Sequence, residues 1–188
     1  DRPRDKELVE SDRIEECLRW VEVSPGDVVP VTPGTLHAIG KGVVLLELQE
    51  TSDTTYRFYD YGRLGLDGKP RKLHVREALE VVSLEPSPAT TAPTPIESAG
   101  KRELLHRDDA VELQRWSFGD PVVLPADGAR PWLLSGLEGE VSLRSDSARP
   151  EVLLPKGRSA LVPAGLEVEL RPTDGQATLF LGTVPIPG

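Results

Sequence analysis

Cysteine is nearly absent from this chain of 188 residues, and its scarcity limits the chemistry available to the protein. Because Cys17 is the only cysteine, no disulfide can form within the chain and no thiolate cluster can hold a metal. Its spacing with Ile14, Leu18 and Val21 suits one buried face of a helix. We therefore expect a packed thiol at Cys17, since a free cysteine usually behaves as a small hydrophobic residue.

Long apolar runs and basic stripes are missing as well. No stretch approaches the roughly 18 apolar residues of a membrane span, and no charged and then apolar leader is present, so we expect no membrane partner and a cytoplasmic location. The formal net charge is -9 and acidic residues exceed basic ones in both halves, which excludes a nucleic-acid partner bound through a basic surface. The chain begins at Asp1 inside a charged stretch, and we expect it to be a fragment of a longer protein.

A proline-rich stretch divides what the sequence does contain. Residues 83–98 hold four prolines and few bulky side chains, which favours a linker or crossover, and we place the linker at 86–98. Before it we predict the end of a helical segment over residues 1–22, with a helix at 6–22, and part of a catalytic β domain over 23–85. After it, residues 99–188 predict a second β domain.

Short alternating segments, separated by glycine, proline or aspartate, predict strands on both sides of this linker. In the first part they cover residues 28–31, 43–48 and 54–59, whereas 73–82 suits either a strand or a short helix. In the second part the predicted strands cover residues 111–118, 122–124, 132–135, 140–143, 151–154, 159–162, 167–170 and 177–183. This regular spacing favours a mainly β sandwich or barrel.

His37 is the candidate metal ligand. It follows the Pro33–Gly34 turn, a stiff support that can direct the ring into the mouth of a barrel, and imidazole suits zinc and similar metals. The alternative is a hydrogen-bonded structural histidine. His74 and His106 stand in no spacing that would complete a metal site, and we expect both at the surface or in turns.

Three unusual strings follow one another along residues 25–82: PGDVVPVTPGTLHAIGKG, SDTTYRFYDYGR and LDGKPRKLHVREALEVV. Together they resemble the type I mannose-6-phosphate isomerases of the cupin superfamily, especially the short bacterial forms. Residues 110–188 are similar to that family's C-terminal cupin domain. The resemblance implies a mainly β fold of cupin-type (jelly-roll) β-barrels, one of them incomplete, with a short N-terminal helical segment.

The resemblance also implies a metal site. In that family four side chains hold the metal, and the last of them in sequence is the histidine of the Pro-x-Gly-Thr-x-His-Ala string, which is His37 here. The others come from a Gln-x-His pair and a glutamate nearer the N-terminus, and no Gln-x-His occurs in this chain. We expect one zinc or similar divalent ion at the intact site. His37 alone would not retain it, because zinc sites use three or four ligands.

The family's catalytic arginine lies in the string Ser-Asp-x-Thr-x-Arg, so the resemblance implies this role for Arg57. Interconversion of an aldose and a ketose passes through an enediolate, and a fixed guanidinium can stabilise its developing negative charge. The alternative is a surface arginine that pairs with Asp53 or Asp60.

Three further residues are candidates for the same site. Glu47 aligns with a carboxylate near the family's active centre, and we consider it for moving a proton or orienting a ligand. Lys41 is a candidate substrate contact through the phosphate, as is Arg63, because an acidic protein that binds an anion needs a locally basic pocket. Both basic residues also suit solvated turns.

The leading hypothesis is the C-terminal portion of a metal-dependent isomerase that interconverts mannose 6-phosphate and fructose 6-phosphate, an activity of carbohydrate metabolism. We expect this fragment to be inactive and to need an N-terminal segment of the same protein as its partner. The alternative is a non-catalytic cupin-like module for sugar binding or regulation that has lost its metal site, and a third hypothesis is a structural β-barrel scaffold. An upstream Gln-x-His string followed by a glutamate would favour the enzyme, and a start codon directly before Asp1 would favour the binding module.

Overall fold

Alternating apolar residues in the second half of the chain form two antiparallel sheets. The computed structural model describes residues 13–52, 54–85, 90–96, 101–146 and 150–185. The chain divides into a first unit, Asp1–Glu47 with Thr51–Thr90, and a second unit, Leu48–Glu50 with Thr91–Gly188. All ten strands of the described residues belong to the second unit, and they are β1 Thr94–Ile96, β2 Lys101–Arg107, β3 Glu112–Phe118, β4 Val122–Leu124, β5 Trp132–Glu138, β6 Glu140–Arg144, β7 Val152–Pro155, β8 Ser159–Val162, β9 Val168–Pro172 and β10 Ala177–Thr183.

The two sheets have six and four strands. The larger has the order β1-β2-β3-β10-β5-β8 and the smaller the order β4-β9-β6-β7. The eight strands predicted after residue 110 are confirmed, and β4, β8 and β10 have the predicted bounds. Strands β1 and β2 were not predicted, and β1 lies within the proline-rich stretch, where it pairs with β2 from Thr94 opposite Leu104 to Ile96 opposite Arg102.

The core of the second unit lies between the two sheets. Burial alternates along the strands, most regularly in β3, as expected for strands with one face on a core. Both sheets contribute fully buried leucines, including Leu134, Leu179 and Leu181 from the larger sheet and Leu124 and Leu170 from the smaller. Burying a side chain of this size contributes about 1.5–3 kcal/mol. This packing of two antiparallel sheets confirms the mainly β prediction.

Strand β5 passes very close to the turn after β7. The Gly136 amide donates to the Arg158 carbonyl at 2.9 Å, and the Gly157 amide donates to the Gly136 carbonyl at 2.8 Å. A Cβ atom at position 136 would lie 2.5 Å from the carbonyl oxygen of Pro155. Only glycine therefore fits between the strand and the turn.

The first unit contains little regular structure in its described residues. A helix is predicted over 6–22. Residues 6–12 lie outside the described residues, and the regular structure in residues 13–22 is a single 3₁₀ turn at Ile14–Cys17. The turn ends because Leu18 is extended, with φ -92° and ψ 138°, so the prediction of a helix up to residue 22 is wrong. The side chain of Cys17 lies outside what the structure describes.

The strands predicted at 28–31, 43–48 and 54–59 are also wrong, because these residues have no regular secondary structure. A strand needs a neighbour for its backbone groups, and no strand pairing in the described residues involves these segments. The apolar side chains of residues 43–46 are largely exposed as well: Val44 is 98% exposed, and Leu45 and Leu46 are about half exposed, whereas Phe58 of the third segment is buried. The alternating pattern is present at 43–46, but these side chains stay exposed in the described part of the chain.

Helix α1, Val75–Val81, resolves the alternative left open for residues 73–82. Its alanine, leucine and glutamates are good helix formers, and the helix stops where Val82 becomes extended. Buried Ala78 packs with Ile14 and Phe58 in a small core. Among the described residues, no helix has the length and apolar character that crossing a membrane requires.

Candidate active site

Arg57 is held by His74, the residue directly before helix α1. The His74 amide donates to the Arg57 carbonyl at 2.8 Å, and the Arg57 amide donates to the Nδ1 atom of His74 at 3.2 Å. Because Nδ1 accepts a hydrogen bond, the proton of the neutral His74 ring lies on Nε2. His74, expected only as a surface or turn residue, therefore holds the backbone of the arginine on both sides.

The C-terminal end of the same helix supports the turn before His37. The Ser83 amide donates to the Gly34 carbonyl at 2.9 Å, and the Thr35 amide closes the turn on the Thr32 carbonyl at 3.0 Å. Gly34 has φ +83°, as the third residue of a type II turn requires, and a Cβ there would lie 2.6 Å from the Val81 carbonyl oxygen. The residues that flank one short helix thus anchor both segments that carry the candidate residues, and the helix itself is about 10 Å long by the rise of 1.5 Å per residue.

His37 has the hydrogen bond that a metal-binding histidine usually makes. Its Nδ1 atom lies 2.9 Å from the Thr35 carbonyl, which only accepts, so Nδ1 is the donor and Nε2 keeps its lone pair. The ring is exposed. However, the described residues contain no group of three or more histidine, cysteine, aspartate or glutamate side chains that could hold a metal ion. His37 therefore suits one ligand position, and the described residues do not form a zinc site by themselves.

The Arg57 side chain is fixed as well as its backbone. Its Nη1 atom donates to the Lys72 carbonyl at 3.3 Å, and its Nε atom lies 3.8 Å from Oδ1 of Asp60. The side chain is 28% exposed. Of the two carboxylates considered from the sequence, Asp60 is thus a neighbour of Arg57, whereas Asp53 lies outside the described residues.

Asp60 is surrounded by three arginines. The Arg71 guanidinium donates hydrogen bonds to both carboxylate oxygens of Asp60, from Nε to Oδ2 at 2.7 Å and from Nη2 to Oδ1. The Asp60 side chain is only 11% exposed. The Arg71 hydrogen bonds lower the pKa of Asp60, and the charges of Arg71, Arg57 and Arg63 lower it further. The same pair raises the pKa of Arg71. Three positive charges around one carboxylate make this a locally basic place in a chain of net charge -9.

A tight turn brings Arg63 into this group. The Arg63 amide donates to the Asp60 carbonyl at 2.9 Å, and the central residues Tyr61 and Gly62 have φ 54° and φ 64°, the signature of a type I′ turn. The Tyr61 ring packs edge-on against Tyr59 at 4.9 Å, and the Arg63 guanidinium lies 5.5 Å from the centre of the Tyr61 ring. A cleft of about 230 Å³ opens beside the turn, lined by Tyr59, Asp60, Gly62, Arg63, Pro70, Arg71 and Leu73.

Lys41 and Glu47 are exposed. In the described part of the chain, no hydrogen bond or ion pair joins either of them to His37 or Arg57. The structure instead adds Asp60, Arg71 and His74, which sequence reasoning did not place in the site. Asp60 and Arg71 do lie in the strings SDTTYRFYDYGR and LDGKPRKLHVREALEVV, so the resemblance pointed to the segments but not to their pairing.

The chain is similar to several curated isomerases. It is 37% identical over 175 residues to "Mannose-6-phosphate isomerase ManA" of Bacillus subtilis (strain 168), which covers 85% of this chain and 50% of that protein. It is 39% identical over 88 residues to "Mannose-6-phosphate isomerase" of Streptococcus mutans, which covers 46% of this chain and 28% of that protein. The chain thus spans at most half the length of these curated relatives. No protein-family model matches the chain.

The same similarity extends to the three-dimensional structure. The crystal structure of the mannose 6-phosphate isomerase from Bacillus subtilis superposes with a TM-score of 0.83 and 26% identity, and the match covers 97% of this chain and 57% of that one. The resemblance seen in the sequence is thereby confirmed, and this chain is a relative of the mannose-6-phosphate isomerases, with their cupin-type fold, over about half of their length.

Proposed function

We propose that this chain is the C-terminal portion of a cytoplasmic aldose–ketose isomerase that interconverts mannose 6-phosphate and fructose 6-phosphate. The relatives that carry this name support the substrate and the reaction. The chain spans only about half of their length, so we further propose that a segment of the same protein, N-terminal to these residues, completes the site.

The observation that carries the proposal is the fixed guanidinium of Arg57 in a locally basic group. Its backbone is tied to His74, Nη1 is tied to Lys72, and Arg63 and Arg71 lie around the same carboxylate. A sugar phosphate is an anion, and an acidic protein that binds it needs such a concentration of positive charge. An arginine that is already ordered can stabilise charge in a transition state without reorganising during the reaction.

The reaction itself requires a proton to move between C1 and C2 of the sugar through an enediolate. We assign to Arg57 the stabilisation of the oxyanion that develops on that intermediate. Glu47 is our candidate for moving the proton, since a carboxylate within reach of both carbons can serve as base and then as acid. Lys41 is our candidate for a phosphate contact.

Zinc or a similar divalent ion belongs to this proposal only as a group held together with ligands from outside the described residues. His37 suits one ligand position, through Nε2. Because the described residues do not supply the rest of a metal site, we assign no step of the reaction to the metal.

The test is an isomerase assay on the longer gene product that carries this chain, with zinc added. We expect isomerisation of mannose 6-phosphate, and we expect Arg57→Ala to lower kcat by about 10²–10³-fold, as the loss of one oxyanion donor does. Arg76→Ala is the matched control, because Arg76 is an exposed arginine on α1, and it should change kcat less than about twofold. Full activity in Arg57→Ala would contradict the role of Arg57, and an inactive wild-type protein would contradict the function.

One observation favours the alternative of a non-catalytic sugar-binding module, namely that no metal-binding group is present among the described residues. The two candidates differ in a calorimetric titration of the longer protein with mannose 6-phosphate. Binding without isomerisation, at any zinc concentration, would favour the module over the enzyme.

A further inference from the structure

We infer that Asp60 is a positioning residue for Arg57. In this inference, which rests on the proposed function, the Asp60 carboxylate is held by Arg71 and in turn fixes the orientation of the Arg57 guanidinium toward the substrate. Asp60 itself does not touch the substrate. Nothing in the resemblance of the sequence strings assigns a role to this residue.

The Asp60 side chain is itself held in place. Arg71 binds both of its oxygens, a two-pronged contact that fixes the plane of the carboxylate as well as its place. The backbone of Asp60 is also fixed, because its carbonyl closes the type I′ turn with the Arg63 amide at 2.9 Å. With 11% of the side chain exposed, little water competes for the carboxylate.

Asp60 lies close to the Arg57 guanidinium without a hydrogen bond to it. The 3.8 Å from Oδ1 to Nε exceeds the length of a hydrogen bond, so Asp60 acts on Arg57 through its charge. Nη1 is bound on another side by the Lys72 carbonyl. Two of the three guanidinium nitrogens thus have a contact, while Nη2 makes no hydrogen bond with the described residues. Nη2 is therefore the nitrogen that can meet a developing oxyanion.

Asp60 also offsets repulsion among the arginines around it. Arg57 and Arg71 both pair with the Asp60 carboxylate, and the charge of Arg63 also acts on it. Without the negative charge of Asp60 they would repel one another, and Arg57, held by a single side-chain hydrogen bond, would turn away. Asp60 therefore allows three cations to stay together and sets the direction of one of them.

The kinetic test uses the longer gene product and the variant Asp60→Asn, which keeps the shape of the side chain and removes its charge. We expect kcat to fall by about 10–100-fold and KM to change less than about threefold, because a misdirected catalytic group chiefly affects the transition state. Asp60→Glu restores the charge and should recover kcat to within about tenfold of wild type. In an Arg57→Lys background, Asp60→Asn should change kcat less than about threefold, because the group that Asp60 orients is gone.

The matched control is Glu103→Gln in the second unit. Glu103 is also a nearly buried carboxylate, 12% exposed, and it pairs with Arg115 at 2.8 Å. This change removes a comparable ion pair from the other unit and should leave kcat within about twofold of wild type. Equal losses in Asp60→Asn and Glu103→Gln would overturn the inference, since they would reflect the general loss of an ion pair.

A second readout on the 188-residue chain needs no activity. Nitrogen-15 relaxation of the arginine side chains should give the Nε–H group of Arg57 a high order parameter, which falls below about 0.6 in Asp60→Asn, with exposed Arg76 as the mobile reference. An unchanged order parameter would overturn the inference. If the longer wild-type protein shows no isomerase activity, the proposed function fails, and this measurement still decides whether Asp60 orients Arg57.

Discussion

Replacing Gly136 by alanine should destabilise the second unit by about 2–4 kcal/mol. The new Cβ would lie 2.5 Å from the Pro155 carbonyl oxygen, 3.0 Å from its carbonyl carbon and 3.3 Å from the Cα of Lys156, all of them backbone atoms that cannot rotate away. Relief requires moving the turn after β7, which would strain the hydrogen bonds that join Gly136 to Arg158 and Gly157. Overpacking of this kind costs about 1–3 kcal/mol, and a weakened hydrogen bond adds about 1 kcal/mol.

Urea unfolding followed by tryptophan fluorescence measures this loss, because Trp116 and Trp132 are both buried in the second unit. For a domain of roughly 100 residues the same loss would lower Tm by about 10–20 °C. The matched control is Gly165→Ala, since a Cβ there meets nothing within 4 Å. Its stability should stay within about 0.5 kcal/mol of wild type. Equal stability of the two variants would refute the reasoning from the close approach.

Three other predictions follow from burial, charge and ligand count. Leu134→Ala should lower the free energy of urea unfolding by about 2–5 kcal/mol because the Leu134 side chain is 0% exposed. Leu161 is 70% exposed, so Leu161→Ala should lower it by less than about 0.5 kcal/mol. Similar losses in both variants would contradict the core assignment. The pKa of Asp108 is lowered from 3.8 to about 2, first by its hydrogen bond with His106 and then by backbone amides, so its stabilisation is present above pH 3.8 and is lost as the pH falls toward 2. Asp108→Asn should therefore flatten the acid-unfolding curve in this range, and an unchanged curve would count against the pairing. After dialysis, elemental analysis of the 188-residue chain should find less than about 0.1 zinc per chain, and stoichiometric zinc would contradict the prediction that His37 alone does not retain the metal.

The second unit was largely predictable because its strands find their partners within the same stretch of chain. Alternation along β3 marks the face that the opposite sheet covers. Strand β2 escaped prediction because Glu103 occupies one of its buried positions, where Arg115 neutralises it. Strand β1 was not predicted because it lies in the proline-rich stretch. Pro95 is tolerated there because β1 is at the edge of its sheet.

The first unit shows what periodicity cannot reveal. Alternation at 43–48 identifies a face that could be buried, but the pairing partner of a strand is a property of the rest of the molecule. In the described residues no partner is present, and the predicted strand is not formed. Local sequence could not predict this outcome.

The candidate site was predictable for single residues and for the neighbouring pair of Arg57 and Asp60, and not for the longer-range contacts. The strings identify His37 and Arg57, and the structure shows how each is anchored. The partners of Arg57 come from elsewhere in the chain: His74 lies 17 residues away, and Arg71 lies 11 residues from Asp60. Such contacts depend on how the turn and helix bring distant residues together, which no local string specifies.

Support of both segments by helix α1 has a consequence for the order of folding. The Gly34 carbonyl and the Arg57 backbone lie earlier in the chain than the residues that bind them, Ser83 and His74. During synthesis the Arg57 anchor cannot form until the ribosome has released His74, and the Gly34 anchor cannot form until it has released Ser83, so a nascent chain that ends before His74 carries Arg57 without its support. Each anchor also closes a loop, the shorter one spanning 17 residues, so the arginine should be held earlier than the turn before His37.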